Sequence, residues 1–454
     1  MIKLAGNETV TARAGLPLVL EVGRALRLDE VIARQVHVGE RQRGFSVTDK
    51  IEALVLLIAA GGDRVEDIRV LSEDRGLMHL LDRTLPSPDS LLRFLHDVGA
   101  SDGEGRAEAV HAGEKSSVPA EGGALRGLEA VNHALIARAT APQEPRIATV
   151  DHDATIIESH KRTARIAYEG TRGYQPMLAV WAEQDLVLVD EFRDGNVPAG
   201  KDPLSSIERA FSALPETVKE RYFRGDSADY HVDVLKYLVK EKIGFTISAD
   251  MTKQLRAVCQ EVAEDEWSAL ESRATEDVHV AEIEFTPGHW SKKAAPLRYV
   301  ALRFTPRQTE LPLEPELLPR GPKYLAVVSN RDKLDAASLV RWHWQKAGTI
   351  EHVHRVLKDE LGAGVMPSHA FGTNAAWLRL NVITANLLTA LKRLALPDAL
   401  RAARPKRLRF EVFTIPAQLS VHQRQLVVDA SAGPERLGAL VDARTRLLDL
   451  LDES

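Results

Sequence analysis

The stretch Arg146-Ile147-Ala148-Thr149-Val150-Asp151-His152-Asp153-Ala154-Thr155 runs an apolar strand pattern straight into two acids spaced two apart. Residues two apart on a strand share a face. Asp151 and Asp153 can therefore point together out of a sheet at one metal site, leaving Ile147 and Val150 for the core. Taken alone the pattern is ambiguous, because acids at strand ends also form turns.

Downstream of it the strand-like period continues through Met177 to Trp181, Leu186 to Val189, Tyr222-Phe223 and Gly244 to Ser248. Helical patterns fall at Leu204 to Leu214 and Val232 to Glu241. Hairpin-like strands followed by strand-helix alternation imply a mixed sheet with helices packed on it. Further strands are expected at His279 to Phe285, Tyr299 to Phe304 and Tyr324 to Val328. A long amphipathic helix follows over roughly Leu334 to Leu361, then an apolar helix over Ala375 to Leu394. The basic segment Arg401 to Arg409 leads to a final strand and helix.

Upstream, from about Leu16 to Val98, apolar residues recur at helical spacing, as in Ile51, Leu54, Val55, Leu57 and Ile58. Ser46-Val47-Thr48-Asp49 and Ser87-Pro88-Asp89-Ser90 are helix start signals. Short helices behind tight turns suit a helix-turn-helix, with Arg93 or Arg41, Arg43 and Lys50 at phosphate; a plain helical cap is the other reading. Residues 99 to 123, rich in Gly, Ser, Glu and Ala, read as a connection.

The chain of 454 residues is long enough for two or three domains. Hydrophobic residues make up 44% and charged residues 27%, and no apolar run reaches the length of a membrane span. The N-terminus lacks a secretory pattern and the single cysteine, Cys259, excludes an internal disulfide framework, so a cytoplasmic protein is expected. A net charge of −6 argues against wholesale coating of nucleic acid and leaves DNA binding to local basic faces.

Two further acids stand in comparable settings. Tyr222-Phe223-Arg224-Gly225-Asp226-Ser227 again delivers an acid at the C-terminal end of an apolar strand, where ligands of open sheets tend to sit. A turn or a helix N-cap is the alternative role for Asp226. Within Gly348 to Lys358, Glu351, His354, Arg355 and Lys358 fall at i, i+3, i+4 and i+7 and form one polar stripe, with Ile350, Val353 and Leu357 on the core side. A solvated, salt-bridged face would look the same. Together, carboxylates from separate elements suit a pair of hard divalent cations about 3.5–4 Å apart, hence phosphoryl transfer.

On these residues the chain resembles the insertion-sequence transposases of the DDE superfamily, in the branch with a β-strand insertion before the catalytic glutamate. The resemblance runs from about residue 10 to 430. It implies an α/β fold, an RNase H-like mixed sheet flanked by helices, with a helical N-terminal domain and a β-rich insertion. The expected divisions are a DNA-binding domain over 1–98, a linker and connecting helix over 99–145, the catalytic core over 146–277 and 333–396, the insertion over 278–332, and a basic C-terminal segment over 397–454. The family's first acid maps onto Asp153 followed by Thr155, with Asp151 the near alternative, its second onto Asp226 and its third onto Glu351. The metal ligands implied are Asp153, Asp226 and Glu351, and the cofactor Mg2+, for which Mn2+ substitutes. Trp344 stands at the aromatic position of the helix signature, and Lys358 seven after Glu351 as the pattern requires.

One position departs from the family: Ala347 stands where a basic residue is expected, so Lys346 or Arg355 would supply that phosphate contact. The gap of about 125 residues between Asp226 and Glu351 is what the insertion explains. The implied activity is binding of terminal inverted repeats, metal-dependent cleavage and strand transfer, with double-stranded DNA as partner and a homodimer in the synaptic complex. Basic candidates for DNA contact are Lys392, Arg393, Arg401, Arg404, Lys406, Arg407 and Arg409. Lys161, Arg162, Arg165 and Arg172 with Tyr168 and Tyr174, where a distorted base could stack, and Trp290 with Lys292 and Lys293 extend that set. The rival readings are an RNase H-like nuclease that cuts without joining and an inactive, transposase-derived DNA-binding protein.

Overall fold

The structure is a computed structural model that describes residues 9–39, 44–100, 116–288, 290–291, 296–307, 321–423 and 425–453. Arg41, Arg43, Lys292 and Lys293 lie outside the described residues. The organising element is a nine-stranded sheet. In chain order its strands are β1 (Ile147–Ala154), β2 (Met177–Trp181), β3 (Leu186–Glu191), β4 (Glu220–Gly225), β5 (Gly244–Ser248), β6 (Ser268–Ser272), β7 (Glu276–Ile283), β8 (Arg298–Pro306) and β9 (Lys323–Ser329). In space they run β6-β7-β8-β9-β5-β4-β1-β2-β3, parallel only at β1–β4 and β4–β5. The half β3-β2-β1-β4-β5 is the RNase H-like arrangement expected from the sequence.

The strand-rich stretch 278–332 continues this sheet: β9 pairs with β5 from Val327–Ser248 to Ser329–Thr246. Without it β5 would be an open edge. Tyr299, Ala301, Ala326 and Val328 share one apolar cluster with Val150, Phe223 and Phe245 of the first five strands. Burial therefore joins the stretch to the core instead of setting it apart.

Seven helices precede the sheet among the described residues: α1 (Leu18–Ala25), α2 (Leu28–Gln35), α3 (Val47–Ala60), α4 (Ile68–Ser72), α5 (Arg75–Leu81), α6 (Pro88–Val98) and α7 (Gly123–Thr140). The two start signals act as read. Ser46 accepts from the Asp49 amide in a capping box, and Ser87 accepts from the Ser90 amide. Further along, α8 (Pro203–Ser212), α9 (Val232–Lys240) and α10 (Lys253–Glu261) contribute to the cluster on one face of the sheet. The other face carries α11 (Ala336–Arg355) and α12 (Phe371–Leu394).

Nearly the whole circumference of α12 is buried, and apolar residues of α1, α3, α6 and α7 share its cluster. A helix that is covered all round must satisfy each polar side chain it carries. Asn386 donates to the Val187 carbonyl of β3 and to Asn132 of α7, Asn381 accepts from the Gly362 amide, and Asn374 donates to the Tyr174 hydroxyl. Each of these bonds fixes the register of α12 against a different element. The C-terminal end of α6 meets the start of α12 at Gly99 and Gly372, where a Cβ on either glycine would run into the backbone of the other. Gly372→Ala is therefore expected to destabilise the protein by about 1–3 kcal/mol through overpacking, measured as a lower urea midpoint at unchanged slope.

After α12 come α13 (Pro405–Leu408), a hairpin of Ala417–His422 with Gln425–Ala430, and α14 (Pro434–Glu453). The hairpin takes Val10–Thr11 as its third strand.

Candidate active site

Strands β1 and β4 run parallel in a register that sets Ile147 beside Glu220 and Asp151 beside Arg224. Carried two residues further, the same register brings Asp153 beside Asp226. Neighbouring strands lie about 4.8 Å apart, so two acids far apart in sequence become neighbours at the C-terminal ends of adjacent strands. Asp226 also accepts the Ala228 amide at 2.8 Å and caps the turn Ser227–Asp229. Its turn-forming role and its place at the strand end coexist.

Glu351 arrives on α11, which lies across these strand ends and is fastened to three of them. Thr349 donates to Asp151 of β1, the Trp342 carbonyl accepts Arg224 of β4 at 2.9 Å, and His343 meets Thr246 and Ser248 of β5 at 3.0 Å each. Asp153, Asp226 and Glu351 line one cleft of about 460 Å3, together with Trp344, Lys346, Glu271 of β6 and Arg273 just after it. A separate cavity of about 340 Å3, lined in part by Val353, Lys392 and Pro405, holds none of the three acids. Glu271 and Arg273 were not candidates from the sequence. Strand β6 carries a single buried residue, Leu270, and so gives almost no periodic signal.

The face shared by Asp151 and Asp153 is as expected, for both look toward α11, yet only Asp153 reaches the cleft. Asp151 is fully buried and spent on Arg224, with Nε–Oδ1 at 2.6 Å and Nη2–Oδ2 at 2.9 Å. A bidentate pair of this kind ties β1 to β4. Asp153 is partly exposed, and the Lys346 ammonium stands 3.4 Å from its Oδ2. An all-carboxylate donor set suits a hard divalent cation, and the position of Lys346 shows that positive charge is favoured there. Among the described residues no three potential ligands converge as a ready-made metal-binding group.

The polar stripe expected on α11 is only partly a surface. Glu351 and Arg355 are exposed, but His354 is buried and its Nε2 has no hydrogen-bond partner. The turn after α11, Val356–Glu360, is a π-helix, which changes the period and lets Lys358 reach back to the Ile156 carbonyl at 3.3 Å, just beyond β1. Burial, with Lys358 and Lys346 behind it, pushes the His354 imidazole down to about 3; burial with Lys346 and Arg224 does the same to His343.

A folded-state value below the ordinary 6.5 means that only the unfolded chain takes up the proton as the pH falls. Stability is thus complete above 6.5 and is lost as pH drops toward 3. Relative to wild type, His354→Leu should lose about 1.4 kcal/mol less per pH unit between pH 6.5 and about 5, read from urea midpoints of the metal-free protein.

Other basic and aromatic candidates divide by burial. Arg93 on α6 is exposed, while Lys50 is half-buried with its ammonium over the Phe94 ring. Arg404, Lys406 and Arg407 are exposed; Arg404 pairs with Glu360 at 3.0 Å and Arg407 with Glu411 at 2.7 Å. By contrast Lys392 is buried beside Asp185, and Arg409 turns inward to the Ala59 carbonyl, so neither belongs to a phosphate-facing track. Tyr174 is a core residue packed on Phe192 and Phe371, and Trp290 is buried as well. Tyr168 is 79% exposed. Its phenol is pushed up, first by its hydrogen bond with Glu169 and further by the charges of Asp153 and Asp226.

The profile of the family described as Transposase DDE domain group 1 matches residues 2–447. No curated protein matches the sequence. Among solved structures, the piggyBac transposase synaptic complex with hairpin DNA aligns with a TM-score of 0.47 at 10% identity, over 96% of this chain and 80% of that chain. Among the described residues no helix is long and apolar enough to cross a membrane.

Proposed function

The chain belongs to the DDE transposase family, a family of metal-dependent enzymes acting on DNA, and from this premise we propose that Asp153, Asp226 and Glu351 are its catalytic acids and that Mg2+ is the ion they hold. The observation that carries the reading is the one cleft lined by Asp153, Asp226 and Glu351, beyond the ends of the parallel strands β1 and β4 and beside the helix that bears Glu351. The protein binds the terminal inverted repeats of its element, cuts at the element ends, and joins the freed 3′-hydroxyl to target DNA. It works in the cytoplasm and as a homodimer, because two ends must be held together for joining.

When bound, the ions acidify the attacking water or hydroxyl and neutralise the leaving oxygen. The protein's own contribution is placement and charge. Asp153 and Asp226 hold one side of the cleft and Glu351 the other. Lys346, released from Asp153, is free to face the scissile phosphate in place of the basic residue missing at Ala347. Lys358 lies beside the loop that follows β1 and stands ready for a flanking phosphate. Trp344, stacked under Arg273 at 4.9 Å, makes a rigid wall against which the strand can lie. Outside the cleft, Arg355, Arg404, Lys406 and Arg407 are exposed positive charges for the DNA backbone, Tyr168 offers a face for an unstacked base, and Arg93 on α6 is the contact from the N-terminal helices.

The test is a Mg2+-dependent assay on a duplex carrying the element's terminal repeat and flanking DNA, with the transferred strand labelled. Cleavage followed by a joined product supports the reading. Cleavage without joining returns the protein to the nuclease alternative, and binding with neither step to the inactive one.

A further inference from the structure

Between the two acids of β1 stands His152, which points to the opposite face of the sheet and is completely buried. Its Nδ1 lies 2.8 Å from Asp229 Oδ1 and its Nε2 lies 2.9 Å from Ser206 Oγ. Ser206 Oγ also lies 2.9 Å from the Pro203 carbonyl, to which it can donate. A Ser, a His and an Asp in a row suggest a nucleophile, but all three are buried inside the layer between β1, α8 and the turn after β4. No substrate reaches them there, and their role is structural in origin.

The three side chains join the elements that carry the catalytic acids. His152 adjoins Asp153 on β1, and Asp229 ends the same short turn, Ser227–Asp229, that Asp226 caps. In the register of β1 and β4 the residue opposite His152 is Gly225, and a Cβ there would run into the Asp229 carboxylate. The space of the missing side chain is therefore taken by Asp229 folding back beneath the strand to meet His152. Phe223 packs beside the imidazole, with ring centroids 6.1 Å apart. On the far face, Asp151 and Arg224 tie the same two strands together.

We propose that His152 is a positioning residue: with Asp229 and Ser206 it forms a buried brace that holds Asp153 and Asp226 at the separation the paired ions require. The proposal rests on the reading of those acids as metal ligands. Groups that orient ligands from behind typically change metal affinity or activity by about 10- to 100-fold when removed.

The experiment measures Mn2+ binding from the loss of the free-ion paramagnetic resonance signal, beside affinity for terminal-repeat DNA and thermal melting. It compares wild type, His152→Gln, Ser206→Ala and Asp226→Asn. His152→Gln should raise the Mn2+ half-saturation by about 10- to 100-fold and leave DNA affinity unchanged. Ser206→Ala, which removes only the outer bond, should give a smaller rise in the same direction. A His152→Gln protein that stays folded and binds Mn2+ as wild type does, while Asp226→Asn has lost the ion, overturns the brace and leaves the acids in place. If His152→Gln does not fold, unchanged Mn2+ binding in Ser206→Ala overturns it equally. Unchanged binding in Asp226→Asn defeats the ligand reading itself, and the brace with it.

Discussion

Asp226→Asn and Glu351→Gln are each expected to abolish cleavage and joining of the terminal-repeat duplex, by about a thousandfold or more, roughly 4 kcal/mol of barrier, while retaining binding of the same duplex. The reason lies in what each substitution leaves behind. Asparagine at 226 keeps an oxygen for the Ala228 amide and so keeps the turn, but it withdraws a negative charge from the point where β1 and β4 bring two acids together. Glutamine at 351 changes an exposed side chain with no part in the core. Both proteins should therefore fold, and a loss of activity reports on charge in the cleft. Gel-shift titration beside the cleavage assay separates the two effects. Variants as active as wild type would mean that these acids are structural.

The second large effect is on stability. Arg379 of α12 is only 1% exposed; its Nε meets both oxygens of Asp190 at 2.8 and 3.0 Å, and its terminal nitrogens meet Glu121 at 2.9 and 3.0 Å. Arg379→Met preserves much of the volume and strips the charge from two facing carboxylates. Breaking a buried pair by removing one partner costs about 3–5 kcal/mol, so the variant should unfold at distinctly lower urea.

The loss has a pH signature. Burial raises Asp190 to about 6, above its unfolded 3.8, even with Arg379 beside it. For an acid shifted this way the charged form is the costly one, so stability falls as pH rises through the folded value. Without Arg379 that cost grows, and the deficit of the variant should be larger at about pH 8 than at about pH 5. An equal deficit at both would mean that lost packing, not charge, accounts for it.

How far the site was legible in the sequence follows from which signals are local. β1 announced itself by an apolar run ending in acids, and Glu351 by a helix with a clean core side. The partnership of Asp151 with Arg224, 73 positions away, depends on a parallel register that one sequence does not reveal. Asp151 consequently stood as the near alternative to Asp153, with nothing local to show that it pairs with Arg224. The strand Ser268–Ser272 escaped notice because four of its five residues face solvent. His354 looked like a surface residue because it stands three after Glu351 on the same α-helix, and nothing local said that this flank of the stripe would be covered. The strands of 278–332 were visible, but nothing local said that their last member would pair with β5.

The central position of α12 bears on the order in which the protein is made. The helices of the first hundred residues find their common packing partner only when residues 371–394 have been synthesised, and Gly99 waits for Gly372 across more than half the chain. Contacts of such sequence separation close slowly and leave apolar surface uncovered in the meantime. A copy of the element interrupted ahead of this helix would still encode all three acids, yet its product would have no seat for its leading helices. Such a product is expected to be degraded or to aggregate.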